Sequence, residues 1–189
     1  MISHSRLHDL AAFLPGSLVR ALQEDRARPR QGARREQPGA ILFADLTDFT
    51  PLAETLDTRG PSGAEHLRGI LDACFSQLTT TVLAHGGDVL RFAGDALVAL
   101  WPANAPEELP RAVALAARCA QTAQALLNER TAPAGERLRL KVGIGAGTVC
   151  MSDVGGEQGH WDFLVSGEPL REMARAQHSA RPEEIILGP

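Results

Sequence analysis

Residues 40–46 (AILFADL) form a short apolar run that holds a single acid, Asp45. A second segment, residues 87–101 (GDVLRFAGDALVALW), contains two short apolar runs separated by Ala93-Gly94-Asp95. The first run predicts a strand buried on both faces, and the second predicts two strands joined by a tight hairpin. If the hairpin lies beside the first strand, Asp45 and Asp95 converge at one edge of the sheet.

Working outward from these strands, the sequence predicts helices with apolar stripes and further short strands. Two long helices are expected to open with capping motifs, Ser62-x-x-Glu65 and Asn104-x-x-Glu107, and the first is expected to stop at Gly86. The remaining predicted elements are a short helix Phe49–Leu56, a strand Leu138–Ala146 that Thr148–Met151 continues, a strand Phe163–Val165, a helix Pro169–His178 and a strand Glu184–Leu187. This order predicts an α+β sandwich with a mainly antiparallel sheet and helices on one face.

The N-terminal part of the chain has a different character. Apolar residues at near-helical spacing over Leu7–Leu22 predict a helix that is broken at Pro15-Gly16. An Arg-rich stretch with prolines and glycines follows, which is typical of a linker. We therefore expect two parts, a helix with its linker over residues 1–38 and one globular domain over residues 39–189.

Composition excludes several classes of function. The net charge is −4 and aromatic residues make up 4%, which disfavours a nucleic-acid surface. No stretch of 18 apolar residues and no signal-peptide pattern occurs, so we expect no membrane span and a cytoplasmic location. The three cysteines are an odd set without metal-like spacing (Cys74, Cys119 and Cys150). Two of them lie in apolar helical patterns and are interpreted as small core residues of a reducing compartment.

The two aspartates indicate a metal site. A carboxylate at the end of a buried strand is costly unless it is paired or binds a cation, and Gly94 lets a ligand approach Asp95 closely. Two such oxygen ligands suit Mg²⁺ or Mn²⁺ bound together with substrate phosphates and water. The structural alternative is that Asp45 caps the following helix and Asp95 is a turn residue.

The segments around the aspartates read FADLTDFTPLAE from Phe43 and GGDVLRFAGDALVALW from Gly86. In these motifs the chain resembles the class III adenylyl and guanylyl cyclases. It is most similar to the first catalytic domain of the soluble, bicarbonate-responsive adenylyl cyclases and their bacterial relatives. The resemblance extends over nearly the whole chain, through LAAFLPGSLV, LRLKVGIGAGTV and FLVSGEPL. It implies a ferredoxin-like palm sandwich, and an adenylate cyclase that converts ATP to cyclic AMP with two divalent cations.

The resemblance also implies roles for individual residues. Asp45 and Asp95 would hold two Mg²⁺ or Mn²⁺ ions, with the carbonyl of Leu46 helping. Lys141 falls where the family places a phosphate-binding cation, although a solvent-facing strand lysine is an equal alternative. The β- and γ-phosphates would bind the backbone that opens a helix, at Thr47, Asp48, Phe49 and Thr50, in agreement with the attraction of anions to helix N-termini.

Departures from the family pattern suggest that this chain is one half of a site. Family active sites form head to tail between two cyclase domains, and the second domain reads the purine and steadies the transition state. Here the purine-reading Lys position holds Arg91 and the Asp or Thr position holds Leu164. The Asn position holds Arg171, and Arg175 falls on the transition-state Arg, with a surface helix cation as its alternative. The chain therefore resembles the metal-bearing half, and a second cyclase domain is the expected partner.

Four further alternatives stay open. Bicarbonate binding would use two basic positions that fall on Arg91 and Ala174, and Ala174 carries no charge. A diguanylate cyclase shares a palm-like sheet, but the hairpin tip of this chain lacks the Glu that such enzymes place after the Asp. The other two alternatives are a guanylate cyclase and a degenerate module that binds a nucleotide or a partner without turnover.

Overall fold

A computed structural model describes residues 15, 16, 19, 32–128 and 138–189. The initial helix predicted over Leu7–Leu22 and most of the Arg-rich linker lie outside the described residues. Within the described part of the chain, the backbone N–H of Gly16 donates a hydrogen bond to Oδ1 of Asp88 at 2.7 Å. This bond joins the N-terminal segment to the start of a sheet strand.

Six strands of the described chain form one sheet in the order β2-β3-β1-β4-β5, with β6 beside β4. Every pairing is antiparallel except that of β6 with β4, which is parallel, so the predicted α+β class with a mainly antiparallel sheet is confirmed. The strands are β1 (Arg34–Thr47), β2 (Asp88–Ala93), β3 (Ala96–Pro102), β4 (Arg139–Gly155), β5 (Trp161–Ser166) and β6 (Ile185–Leu187).

Two strands are longer than predicted. Strand β1 begins at Arg34, six residues before the predicted start at Ala40, so residues 34–38 belong to the sheet rather than to a linker. These polar residues pair with the far end of β4, where Arg35 forms an ion pair with the buried Asp153 at 2.8 Å. Strand β4 is continuous through Gly147, as predicted, and runs on to Gly155, four residues beyond the predicted end at Met151. Where the domain begins relative to residue 39 stays a prediction.

Four α-helices accompany the sheet in the described residues, and their existence was predicted correctly. They are α1 (Phe49–Asp57), α2 (Pro61–Ala84), α3 (Leu109–Asn128) and α4 (Glu168–Ser179). Short 3₁₀ turns occur at Pro106–Glu108, just before α3, and at Glu157–Gly159, between β4 and β5.

The predicted capping motifs are wrong in detail. Helix α2 follows Gly60, and the hydroxyl of Ser62 donates to the carbonyl of Arg59 instead of capping the helix. Before α3, the backbone and side-chain amides of Asn104 both donate to Glu108 rather than Glu107. A 3₁₀ turn separates this loop from α3, which shifts the acidic partner by one residue.

Alternate residues of β1 point to opposite faces of the sheet and enter two different cores. The larger core contains the apolar stripes of α1, α2 and α3 together with one series of β1 side chains, Ala40, Leu42, Ala44 and Leu46. The smaller core contains Ile41 and Phe43 of β1 with Leu170 and Met173 of α4. The prediction that helices pack on one face is therefore correct for three helices and wrong for α4, which lies on the opposite face.

Glycines in β4 explain the position of α4. A Cβ atom added at Gly143 would overlap the carbonyl oxygen of Met173, and one added at Gly145 would overlap the carbonyl oxygen of Pro169. The backbone of α4 therefore lies directly on the strand, closer than any larger residue at these positions would allow.

The sheet is strongly curled. Strands β2 and β5 stand at opposite ends of the strand order, yet Nη2 of Arg91 on β2 lies 3.4 Å from Oδ1 of Asp162 on β5. The accumulated twist of neighbouring strands therefore brings the two ends of the sheet together on one side.

The described helices also bear on two expectations from composition. No helix in the part of the chain that the structure describes is long and apolar enough to cross a membrane. All three cysteines are buried and none forms a disulfide, which confirms the two that were predicted as core residues. Burial raises the pKa of the Cys119 thiol to about 12, so this group stays protonated and unreactive at neutral pH.

Candidate active site

The pairing register of β1 brings Asp45 and Asp95 together. Asp45 pairs with Ala96, the first residue of β3, and Asp95 immediately precedes it in the hairpin turn. Gly94 has a φ of 64°, which a side chain would disfavour, and this allows the tight turn. The backbone N–H of Leu46 donates to the carbonyl of Asp95 at 3.2 Å and fixes the turn against β1. The two aspartates thus lie side by side at one edge, as the sequence predicted.

Asp45 is a carboxylate whose ionised form is disfavoured by its surroundings. Burial raises the pKa of Asp45 above its ordinary value, and the neighbouring carboxylate of Asp95 raises it further. Lys141 and a hydrogen bond from Gln177 act in the opposite direction and lower this pKa. The two raising effects are the larger pair, so binding a cation between the aspartates would relieve both of them.

Lys141 is the cation closest to this pair in the sheet register. It lies directly opposite Asp45 on the adjacent strand β4, so the two side chains share one face of the sheet. That face is also the one that α4 covers, because it continues the series of Ile41 and Phe43. Lys141 is half-buried and is the single lysine of the whole chain, which otherwise uses arginine.

The turn between β1 and α1 has an unusual conformation. Asp48, the residue before α1, has a φ of 66°, and its carboxylate does not cap the helix. The carboxylate instead accepts hydrogen bonds from Nη2 and Nε of Arg139 at 2.7 and 3.2 Å, and this raises the pKa of Arg139. The hydroxyl of Thr47 donates to the carbonyl of Arg139 at 3.1 Å. The first N–H groups of α1, at Phe49 and Thr50, have no acceptor within the helix, and N–H groups at such a helix N-terminus attract anions.

The remaining predicted site residues lie on the surface. Arg91 is exposed on β2 and pairs with Asp162, and the side chain of Leu164 on β5 is more than half exposed. Glu168 of α4 forms ion pairs with Arg171, one helical turn further along the same helix, and with Arg175, two turns further along. Among the described contacts, the three arginines pair with neighbouring carboxylates rather than with the aspartate pair.

Two residues that sequence reasoning missed contribute to the site. Gln177 of α4 donates to Asp45, and Arg139 of β4 holds Asp48. The only signal for Arg139 was its position two residues before Lys141 on a strand, which places both side chains on the same face. No local pattern marks Gln177, because its partner is 132 residues away in the sequence.

The donor set fits a divalent cation with a polyphosphate. Within residues 32–128 and 138–189 no group of three or more His, Cys, Asp and Glu side chains is arranged to hold a metal. A cation at Asp45 and Asp95 would therefore complete its shell with backbone oxygen, water and phosphate oxygens, which is how proteins usually bind Mg²⁺. Lys141 and the N-terminus of α1 lie at the same edge and favour negative charge.

These features place a carboxylate pair, a lysine and a helix N-terminus at one edge of a palm-like antiparallel sheet. The family model described as "Adenylate and Guanylate cyclase catalytic domain" matches residues 32–187. This chain belongs to that family, the class III nucleotidyl cyclase catalytic domains.

Individual proteins agree with this assignment. The chain is 34% identical over 153 residues to adenylate cyclase type 10 of Mus musculus, an alignment that covers 80% of this chain and 9% of that protein. The chain thus spans about a tenth of the length of this relative. Two solved structures share its fold. The adenylyl cyclase CyaB from P. aeruginosa has a TM-score of 0.71 at 18% identity, covering 82% of this chain and 78% of CyaB. A dimeric guanylyl cyclase domain of the RhoGC fusion protein from Blastocladiella emersonii has a TM-score of 0.65 at 18% identity, and the match covers 83% of this chain and 82% of that domain.

Proposed function

We propose that this domain converts ATP to cyclic AMP and pyrophosphate as the metal-bearing half of a dimeric active site. The observation that carries the proposal is the convergence of Asp45, Asp95 and Lys141 at one edge of the sheet, beside the N-terminus of α1. The preference for ATP over GTP is supported by the similarity to a relative named adenylate cyclase. The three cysteines are buried and form no disulfide, which fits a reducing compartment, and we therefore place the reaction in the cytoplasm.

The reaction forms a bond between the ribose 3′-oxygen and the α-phosphorus and breaks the bond from that phosphorus to the β-phosphate. Two Mg²⁺ or Mn²⁺ ions, when bound, would supply Lewis acidity to the 3′-hydroxyl and neutralise charge on the departing pyrophosphate. Asp45 and Asp95, with the carbonyl of Leu46, would hold these ions.

The other residues of this chain would bind and orient the triphosphate. Lys141 would pair with a phosphate oxygen, and the N–H groups at Thr47–Thr50 would bind the β- and γ-phosphates. The pairing of Asp48 with Arg139 supports this role, because it turns a carboxylate away from the helix N-terminus that the phosphates need. The pair also keeps a positive charge close to the turn.

A second cyclase domain would complete the site. Leu164 presents an apolar side chain where the family reads the purine, so the purine contacts would come from the partner. Val154, Trp161 and Leu164 are large apolar side chains exposed at the far end of β4 and β5, and such a group suits a protein interface. In the partner's half-site, Arg91 and Arg175 would then contact the nucleotide that the partner binds.

The second candidate is a domain that binds the metal–nucleotide complex and regulates its partner without turning ATP over. The exposed Leu164 favours it, because an alkyl side chain cannot accept a hydrogen bond from adenine. This candidate predicts the same binding at Asp45 and Asp95 and differs only in the absence of cyclic AMP from any assembly that contains the domain.

Binding of Mn²⁺ with 3′-deoxy-ATP tests the shared part of the proposal, because this analogue lacks the attacking hydroxyl and cannot cyclise. We expect calorimetry to detect binding to the wild type and none to Asp45→Asn or Asp95→Asn. Asp72→Asn is the matched control, since this exposed aspartate lies on α2 beside Arg68. Unchanged affinity in both site variants would refute the assignment.

A further inference from the structure

Gln177 forms the one described side-chain hydrogen bond to the aspartate pair. Its Nε2 donates to Oδ2 of Asp45 at 3.0 Å, and both side chains are half-buried. Gln177 lies near the C-terminal end of α4, the helix that covers this face of the sheet. The bond therefore joins the metal-binding strand β1 to a helix from the other end of the chain.

The sheet is shaped so that Gln177 can reach Asp45. Gly143 lies two residues after Lys141 on β4, on the same face as Asp45. A Cβ atom at this position would overlap the backbone nitrogen of Gln177 and come within 2.6 Å of its Cβ. Glycine is thus what lets this turn of α4 lie against the strand, at the point that faces Asp45.

The bond has a specific consequence for a metal ligand. An amide that donates to one carboxylate oxygen fixes the plane of the carboxylate and leaves the other oxygen free for a cation. A carboxylate that is already oriented loses less rotational freedom when it binds, and hydrogen bonds of this kind support metal ligands in general. The alternative role is purely structural, a tie between α4 and the sheet.

We propose that Gln177 is a positioning residue that orients Asp45 for the divalent cation. This inference rests on the proposed function, because it assumes that Asp45 is a metal ligand. Helix α4 is already held by Met173 in the smaller core and by its backbone contacts with Gly143 and Gly145. The fold therefore does not depend on the hydrogen bond, and removing the bond alone should affect the metal.

The test compares Gln177→Met with Gln124→Met. Methionine keeps the length of the side chain and removes its donor. Gln124 is the matched control, because it is a half-buried glutamine on α3 that donates to the carbonyl of Leu140 on the opposite face. Binding of Mn²⁺ in the presence of 3′-deoxy-ATP is measured by the loss of the electron paramagnetic resonance signal of free Mn²⁺, with circular dichroism to verify folding.

We expect Gln177→Met to bind Mn²⁺ about 10- to 100-fold more weakly than the wild type, the usual effect of losing a partner of a metal ligand. Gln124→Met should bind like the wild type. Equal Mn²⁺ affinity in the wild type and Gln177→Met, with Asp45→Asn inactive in binding, would overturn the role of Gln177 and leave the proposed function standing. Absence of Mn²⁺ binding by the wild type would overturn both.

A second variant gives a gain that misfolding cannot imitate. Gln177→Glu places a third carboxylate beside Asp45 and Asp95, which repel it until a cation binds. We expect a lower melting temperature without metal and a larger rise on adding Mn²⁺ than the wild type gives. A rise equal to that of the wild type would mean that residue 177 does not act on the metal site through Asp45, and it would overturn the proposal.

Discussion

Two regions of the molecule are held very differently. The carboxylate end is the aspartate pair with Lys141 and Gln177. The arginine surface is Leu164 with the three arginines Arg91, Arg171 and Arg175. Side chains of the carboxylate end come from four elements, are half-buried and act on one another. The arginine side chains are 64%, 67% and 74% exposed and pair with nearby carboxylates. The carboxylate end is thus preorganised within one chain, whereas the arginines of the arginine surface are held, among the described residues, by exposed ion pairs that order them weakly. This difference supports the proposal that the domain supplies the metal-bearing half of a dimeric site.

The largest expected effect concerns activity alone and with a partner. We expect the purified chain to make cyclic AMP from Mn²⁺-ATP at close to background, because positioning of the 3′-hydroxyl needs groups that the arginine surface lacks. Each missing transition-state hydrogen bond costs a factor of about 10²–10³ in turnover. A partner cyclase domain should restore turnover if it carries the family's Lys, its Asp or Thr, its Asn and its Arg. The rate should rise in proportion to the amount of complex that forms.

One result would erase the contrast between the two regions. Robust turnover by the purified chain, lost in Arg175→Ala, would mean that the arginine surface suffices and that the chain is a working homodimer. A concentration series would then show activity rising with the square of protein concentration.

Lys141 offers the next largest effect, within the carboxylate end. We expect Lys141→Met to weaken Mn²⁺-dependent binding of 3′-deoxy-ATP by about 10- to 100-fold, the value of one charge-assisted hydrogen bond. Arg118→Met, which removes an exposed cation from α3, should have no effect. Equal affinities in the wild type and both variants would leave Lys141 as a solvent-facing strand residue. Because Lys141 is the single lysine, bound nucleotide should also protect it from lysine-selective acylation, read by peptide mass.

The packing of α4 on β4 can be broken with one methyl group. We expect Gly143→Ala to lower the free energy of unfolding by about 1–3 kcal/mol, since the added Cβ meets backbone atoms of α4 that cannot rotate away. Gly69→Ala is the control, because a Cβ at this exposed position of α2 has nothing within 4 Å. It should raise stability by about 0.5–1 kcal/mol through helix propensity. Urea unfolding measures both, and a neutral Gly143→Ala would contradict the close approach of α4.

The smallest effect is the charge repulsion itself. Because the pKa of Asp45 is raised on folding, its ionisation costs stability as pH rises through that pKa, and the apo protein gains stability again as the carboxyl protonates in acid. Asp45→Asn should therefore leave the apo free energy of unfolding at pH 7 unchanged or higher. The gain is at most about 1 kcal/mol, because solvent still screens the carboxylate. It should shrink as the pH falls through the raised pKa of Asp45 and vanish below the ordinary pKa of a carboxyl group. A clearly less stable Asp45→Asn would contradict the repulsion.

Local patterns were enough to predict most of the fold and the aspartate pair. The apolar run at Ala40–Leu46 and the glycine at the hairpin tip define neighbouring strands, and their register follows once the strands are adjacent. The position of α4 could not be predicted in this way. Its side of the sheet is decided by Gly143 and Gly145, and the absence of a side chain gives no periodic signal.

The parts of the site that were missed depend on contacts distant in sequence. Gln177 reads locally as a polar helix residue, and only the packing of α4 brings it to Asp45. The ion pair of Asp48 with Arg139 likewise joins residues 91 positions apart. Polar residues 34–38 read as linker because their partners are at the far end of β4, and pairing rather than hydrophobicity makes them a strand.

The central claim is tested most directly by assaying cyclic AMP formation in the longest natural chain that contains these residues, with Mn²⁺-ATP and with Mn²⁺-GTP. The account predicts cyclic AMP and pyrophosphate in equal amounts from ATP, slower reaction with GTP, and a fall to background in Asp45→Asn and in Asp95→Asn. Asp72→Asn should retain full activity. Cyclic AMP formation that persists in both site variants, or no cyclic nucleotide from the natural protein with either substrate, would contradict it.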